Sequence, residues 1–483
     1  MNLSVVQRIL GILLMVFSLS MLPPLAVSLW YADGNWQPFL DAFLIVLTAG
    51  FLVWWPSRKV RRELRLRDAF LVVASFWVVL GLAGAVPLIV SERPVMSFTH
   101  AVFEAVSGFT TTGATVLVGL DTLPRSVLYY RQQIQWLGGM GIVILAIALL
   151  PVLGVGGMSL YKAETPGPVK DEKLTPRITQ TAKALWLVYV GLTAACALAY
   201  WLAGMSLFDA IGHSFSTLST GGFSPYDASM GQFASMTISM IAVAFMFMGA
   251  VNFSLHFLLF RNRSLRSYWR DSEFRGFVTI LLSIALVVVV ALRLTGTYPT
   301  WKDALHHGLF QVVSIQTSTG FLTANFAAWP GMLPVLVMLS TFVGGCAGST
   351  AGGMKAIRWV LVGKQASREL KRLVHPSGEF AVKLAGKPVP IRVIDAVWGF
   401  FTIYLLLFGL LMLLLMATGV DQVTAWSAIA TCMNNAGPGL NQVASNFQTI
   451  PAAGIWVSTA AMLFGRLEIF TLLVLLTPTF WQK

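Results

Sequence analysis

Along the chain, apolar stretches of span length alternate with shorter segments that are basic or that carry Gly, Ser and Thr. A helix needs about 20 apolar residues to cross the hydrocarbon of a bilayer. The pattern predicts ten such spans: Ile9–Trp30, Phe39–Trp55, Ala69–Val90, Ile134–Leu153, Ala184–Leu202, Met236–Phe260, Gly276–Leu294, Pro334–Val362, Ile394–Gly419 and Ala452–Pro478. The first apolar run follows Arg8 but is too long for the core of a secretory signal, about 7–15 residues. It reads as a retained helix kinked at Pro23 and Pro24. The eighth span is interrupted by Gly344-Gly345-Cys346-Ala347-Gly348-Ser349-Thr350-Ala351-Gly352-Gly353, which cannot hold a regular helix.

Between certain spans lie helical segments too short to cross: Ser97–Phe109, Leu207–Leu218, Ala304–Gln316 and Val423–Met433. At 1.5 Å per residue each reaches only about 16–20 Å, so it must enter the membrane and turn back. Each runs into a polar turn with a glycine at its third position: Thr111-Thr112-Gly113, Thr220-Gly221-Gly222, Ser318-Thr319-Gly320 and Asn435-Ala436-Gly437. Six residues before these glycines stand Ser107, Ser216, Ser314 and Thr431, and nine before the first three stand Glu104, His213 and Gln311, read as braces of the short helices. A single Ser or Thr in an apolar helix usually bonds its own backbone; fourfold recurrence outweighs that reading, because repeats dominate a fold assignment. The fold class is therefore an all-α membrane protein of ten transmembrane helices and four re-entrant pore helices. Its four pseudo-fourfold helix–pore loop–helix repeats follow a two-helix N-terminal domain. The expected limits are 1–68 for that domain and 69–157, 184–262, 276–364 and 392–483 for the repeats, the third having a broken second helix.

Composition agrees. Of 483 residues, 56% are apolar and 11% charged, against about 25% charged in soluble proteins. A soluble multidomain enzyme is excluded. The net charge of +13 would suit nucleic acid, but the basic residues sit on every second connection: Arg58 to Arg67, then 158–183, 261–275 and 363–392. That is the positive-inside pattern. It places both termini in the cytoplasm and argues against nucleic-acid binding. Cys196, Cys346 and Cys432 have no spacing for a disulfide framework or a zinc site. No histidine pattern suits a metal, and Gly348 to Gly353 lacks the lysine that a phosphate-binding loop requires next.

Irregular backbone at membrane depth is tolerated only where protein covers it or water reaches it. Four such turns converging on one axis meet the condition by lining a pore, where carbonyl oxygens replace an ion's hydration shell and glycine permits the necessary dihedrals. The short helices present partially negative C-termini to that axis, which favours a cation. Here the chain resembles the Trk/Ktr/HKT superfamily of potassium transporters, most nearly its bacterial Trk membrane subunits. The likeness rests on the four loops, the broken helix and Gly465-Arg466-Leu467-Glu468, and covers nearly the whole chain. It implies a potassium filter of Thr111, Thr112, Gly113, Thr220, Gly221, Gly222, Ser318, Thr319, Gly320, Asn435, Ala436 and Gly437. Retention of Gly113, where sodium-admitting members often carry serine, implies potassium. It further implies a gate of Gly344, Gly345, Gly348, Ser349, Thr350, Gly352, Gly353 and Lys355, with Arg466 as an electrostatic barrier. A flexible kink remains the alternative for the loop, and an ion pair with another span the alternative for Arg466.

The same resemblance implies a homodimer in the bacterial inner membrane and regulation by a cytosolic nucleotide-binding, TrkA-like ring. Potassium is the cargo, and no organic cofactor is expected on this chain. A potential of 100 mV is worth about 2.3 kcal/mol per charge, enough for accumulation of several tens-fold at about 1.4 kcal/mol per decade. An ion-coupled carrier with alternating access is the rival reading. It would show two related halves and charges at the midplane, whereas the repeat is fourfold and its loops are uncharged. A membrane enzyme would need a cluster of acid, base or metal-binding groups, and the sequence offers none.

Overall fold

The structure, a computed structural model, describes residues 2–60, 66–141 and 178–482. The second half of the expected span Ile134–Leu153, the glycine cluster 154–157, Arg61, Arg62 and Arg65, and most of the 158–183 loop lie outside the described residues. The chain is a multi-pass, all-α membrane protein. Among the described residues the only strands are the hairpin pair Lys383–Leu384 and Lys387–Pro388.

Among the described residues six helices are long and apolar enough to cross a membrane, and two sharply bent pairs bring the total to eight. Several of the ten expected spans are interrupted. Met236–Phe260 divides into Met236–Ala250 and Phe253–Asn262, bent by 98°, and Ala452–Pro478 into Ala452–Arg466 and Phe470–Leu476, bent by 111°. The eighth becomes Leu333–Ser340 and Ala356–Val374 with the glycine-rich loop between them. Hydropathy measures a segment's partition into lipid and is blind to a bend within it. Both bends rest on local backbone. Glu468 and Ile469 have φ of 51° and 59°, which ends the helix after Arg466, and Asn252 restarts the other by accepting from the Ser254 N–H at 2.8 Å. The first span breaks at Leu19–Met21, one turn before Pro23 and Pro24, because prolines are tolerated in a helix's first turn.

The N-terminal pair packs closely. Helices Leu3–Ser18 and Trp36–Trp54 approach where Gly11 faces Trp54 and Gly50 faces Met15. Small residues let backbones meet in lipid, where dispersion contacts replace the hydrophobic effect between helices.

The four re-entrant helices are Phe98–Phe109, Leu207–Leu218, Trp301–Gln316 and Gln422–Asn434. Each begins at a capping side chain that accepts from the N–H three residues on: Ser97 from His100, Ser206 from Asp209, Thr300 from Asp303 and Asp421 from Thr424. The third runs to 16 residues, against 12, 12 and 13, because its cap lies a turn earlier than the apolar pattern suggests.

A β-carbon at Gly11 would stand 2.6 Å from the Trp54 backbone nitrogen, and backbone has little freedom to move aside. Gly11→Leu is therefore expected to cost about 1–3 kcal/mol, read as a lowered midpoint of thermal unfolding of the detergent-solubilised protein; an unchanged midpoint would refute the close packing.

Candidate functional site

Each re-entrant helix ends in the same hydrogen-bonded turn. The carbonyl of the residue six before the glycine accepts the N–H just before that glycine: Ser107 from Thr112 at 2.8 Å, Ser216 from Gly221 at 2.8 Å, Ser314 from Thr319 at 2.8 Å and Thr431 from Ala436 at 2.9 Å. With the adjoining shorter bond this is a Schellman closure, which needs a left-handed residue just past the helix. Thr111, Thr220, Ser318 and Asn435 fill that position with φ of 56°, 52°, 57° and 52°. Left-handed backbone costs a side-chain-bearing residue roughly 1–2 kcal/mol, which the two closing bonds offset. Two residues later Gly113, Gly222, Gly320 and Gly437 have φ of 79°, 77°, 82° and 85°. Alternating handedness turns successive carbonyls toward one side.

The four turns meet in a closed ring. A β-carbon on Gly113 would lie 2.1 Å from the Gly221 oxygen, on Gly222 1.9 Å from Thr319, on Gly320 2.4 Å from Ala436, and on Gly437 3.0 Å from Thr112. Each glycine thus abuts the carbonyl that precedes the next repeat's glycine, and the fourth abuts the first. The four glycines also line one cavity of about 340 Å³. Eight of the twelve candidate filter residues, the glycines and the residue before each, come together in this way.

The strands leaving the ring are braced by residues of the re-entrant helices. Glu104 accepts from Thr115 Oγ1 at 2.9 Å and from the Val116 N–H at 3.0 Å. His213 Nε2 lies 3.1 Å from Ser224 Oγ, and Gln311 donates to the Ala324 carbonyl at 2.5 Å. The fourth repeat has Ala428 at the equivalent position, and Ser427 substitutes by accepting from the Leu440 N–H at 2.9 Å. Arg131, just ahead of the expected span Ile134–Leu153, is 1% exposed. It pairs with Glu104 at 2.7 Å, donates to the Ser224 carbonyl at 3.2 Å and lies over the Phe223 ring. It thereby ties the first two repeats together. Gln135 does the same below it, donating to the Gly221 carbonyl at 2.5 Å and accepting from the Phe223 N–H at 3.0 Å. Sequence reasoning missed both; three glutamines and an arginine within Arg131–Gln135 of a segment bound for the membrane were the available signal.

On the other side of the ring the glycine-rich loop crosses from the second repeat to the fourth. Thr350 Oγ1 donates to the Leu218 or Gly249 carbonyl, each at 2.9 Å. The Gly352 N–H meets Ser318 Oγ at 2.6 Å, and the Gly353 N–H meets the Asn434 carbonyl at 3.1 Å. The remaining expected gate residues fold the loop and seat it at the bend of the second repeat. Gly344 packs on Gly352 and Gly353, and Gly345 on Ala250. The Gly348 carbonyl accepts from Phe253, Ser349 donates to Cys346, and Lys355 Nζ donates to the Ala351 carbonyl. Arg466 stands at the end of its helix, not in mid-span, and donates to Thr111 Oγ1 at 3.0 Å, the Thr350 carbonyl at 3.1 Å and the Gly138 carbonyl at 2.8 Å. Glu468 binds Arg358 at 2.5 Å.

Glycines also let the second helices reach the ring. Side chains at Gly138, Gly249 and Gly465 would meet the Phe109, Leu218 and Met433 carbonyls, at the C-terminal ends of three re-entrant helices. Each is the penultimate residue of its helix, a recurrence that the sequence reading did not use.

A family model described as TrkH, cation transport protein, matches residues 36–483. The chain is 54% identical to the Trk system potassium uptake protein TrkH of Halomonas elongata and 51% identical to that of Escherichia coli K12, in each case over 100% of both sequences. The crystal structure of the potassium transporter TrkH from Vibrio parahaemolyticus is similar with a TM-score of 0.91 at 51% identity, covering 100% of each chain. Relatives of this chain are thus named as transport proteins.

Removing one partner of a buried ion pair strands the other. Glu104→Ala is expected to cost about 3–5 kcal/mol, measured by thermal unfolding in detergent, with Glu104→Gln losing less because its amide oxygen still accepts. Equal stability of wild type and Glu104→Ala would show that Arg131 holds the strands without the carboxylate.

Proposed function

Since the chain belongs to the TrkH family of cation transport proteins, we propose that it takes up potassium across the inner membrane of a bacterial cell through a carbonyl-lined, gated pore driven by the membrane potential. The closed ring of Gly113, Gly222, Gly320 and Gly437 against the preceding carbonyls carries the proposal. Twelve residues, Thr111 to Gly113, Thr220 to Gly222, Ser318 to Gly320 and Asn435 to Gly437, supply the oxygens that replace potassium's water. Four helix C-termini aimed at the same place stabilise its charge. No Lys or Arg interrupts these turns, so an anion finds nothing to hold it.

Below the filter, Thr350, Gly352 and Gly353 bridge three of the four repeats, and this contact supports a gate in its closed position. Arg466 holds the loop's Thr350 carbonyl and contributes a positive charge that repels a cation leaving the filter. Opening requires the loop to exchange these bonds for others. The break behind the loop, with few side chains to repack, allows that exchange at low cost. The 1–68 pair and the four repeats that follow form one pore per chain, with both termini cytoplasmic. A homodimer regulated by a cytosolic nucleotide-binding, TrkA-like ring completes the proposal, since this chain has no cytoplasmic domain of its own among the described residues.

Three measurements test the proposal. In a host that depends on added potassium transport, Gly113→Ser should lower the preference for potassium over sodium; unchanged preference would remove the ring from the filter role. Rubidium flux into liposomes without regulator should rise for Arg466→Ala and for deletion of part of 344–353, and a flux equal to wild type in both would reduce the loop to a packing kink. Single-channel recording of those variants should show unitary currents; saturable exchange without them would favour a carrier.

A further inference from the structure

Beyond the second repeat the chain turns through 98° between Met236–Ala250 and Phe253–Asn262. If the first helix crosses the bilayer, the second runs close to the plane of the membrane. A short helix, Arg266–Arg270, follows before the next span begins at Ser272. The segment is held in place. His256 lies 2.9 Å from the Met248 carbonyl through Nε2 and 2.7 Å from the Tyr268 hydroxyl through Nδ1, so one imidazole fastens the bend to the following helix. Tyr268 is buried.

Around that anchor the surface is charged and apolar by turns. Arg261, Arg263, Arg266, Arg270 and Arg275 are exposed, and among the described residues none of them forms an ion pair. The nearby carboxylates are otherwise engaged: Asp271 caps the next span by accepting from the Phe274 N–H at 2.6 Å, and Glu273 accepts from the Ala347 and Ile357 N–H groups. Interleaved with the arginines, Phe260, Leu265 and Trp269 are 62%, 61% and 66% exposed. Exposed apolar side chains in a membrane-plane segment belong at the acyl boundary, where aromatic residues concentrate, and guanidinium groups beside them meet the phosphates.

We propose that residues 260–275 form a binding site for the phosphodiester headgroups of anionic phospholipids in the leaflet on that side. Clustered arginines beside a span are attracted to anionic lipid, and the planar fork of arginine matches a phosphate bidentately where lysine offers a point charge. Membrane topology alone explains positive charge here, but it asks neither for arginine over lysine nor for a fixed scaffold. The site lies away from the filter and does not depend on which ion passes.

The test uses the purified full-length protein in detergent micelles, with native mass spectrometry of bound lipid after mixing with equal amounts of phosphatidylglycerol and phosphatidylcholine. Wild type should retain phosphatidylglycerol in preference by about tenfold. The triple variant Arg263→Gln, Arg266→Gln, Arg270→Gln should lose the preference, and the corresponding triple Lys variant, which keeps the topology signal, should retain only roughly half of it. Trp269→Ala should weaken binding of both lipids equally. Rubidium uptake by each variant, comparable with wild type, certifies the fold. A preference unchanged in the Gln variant overturns the proposal, as does one unchanged by Lys, which reduces the patch to a topology signal. Unchanged lipid binding with lost binding of a soluble regulator overturns it in favour of a protein-docking face.

Discussion

Backbone polar groups at the middle of a bilayer have no water to bond, so every helix that stops there must dispose of its last carbonyls within the protein. Four helices of this chain stop there. Each is closed by the same turn, in which the residue six before a glycine accepts an N–H from the strand that follows. That bond fixes the direction in which the strand leaves, and so fixes where its carbonyls lie relative to the neighbouring repeats. The ring of glycines against carbonyls is a consequence of four identical closures, and both the candidate filter and the proposed gate are assembled on it.

Fourfold backbone does not mean fourfold chemistry. The strand leaving each glycine is braced by a different side chain: a carboxylate shared with a buried arginine, a histidine, a glutamine and a serine. Only the first carries a full charge pair, and Arg131 extends it into the second repeat. Since a buried pair gains little net stability over apolar packing but is costly to break, its contribution here is positional: it holds two strands in register at the mouth of the ring. The glycine-rich loop is asymmetric as well, contributed by the third repeat alone and bonded to the ends of the second and fourth re-entrant helices. A single loop thus touches the ends of re-entrant helices from two other repeats.

The second helices carry the other half of the arrangement. Breaks at Val251 and after Arg466, and the loop from Thr341 to Lys355, let helix ends approach the ring from the side opposite the re-entrant helices. Arg466 reaches Thr111, Thr350 and Gly138 because its helix ends there; in a continuous helix its side chain would extend along the helix surface. Glu468, set beyond the break in left-handed backbone, turns instead to Arg358.

The residues themselves announced the repeats. A helix cap of Ser, Thr or Asp, an apolar stretch too short to cross, and a glycine obliged to adopt positive φ are local requirements, and local requirements are written in adjacent residues. The twelve candidate filter positions and the break at Gly344 to Gly353 were legible for that reason. The burial of Arg131 and the bonds from the glycine-rich loop to the second, third and fourth repeats were decided by the tertiary structure. Each depends on a partner tens to hundreds of positions away, such as Glu104 for Arg131 or Ser318 for Gly352. Hydropathy averages over a helix and spacing compares neighbours, so neither contains the distance between segments that meet only when the chain has folded.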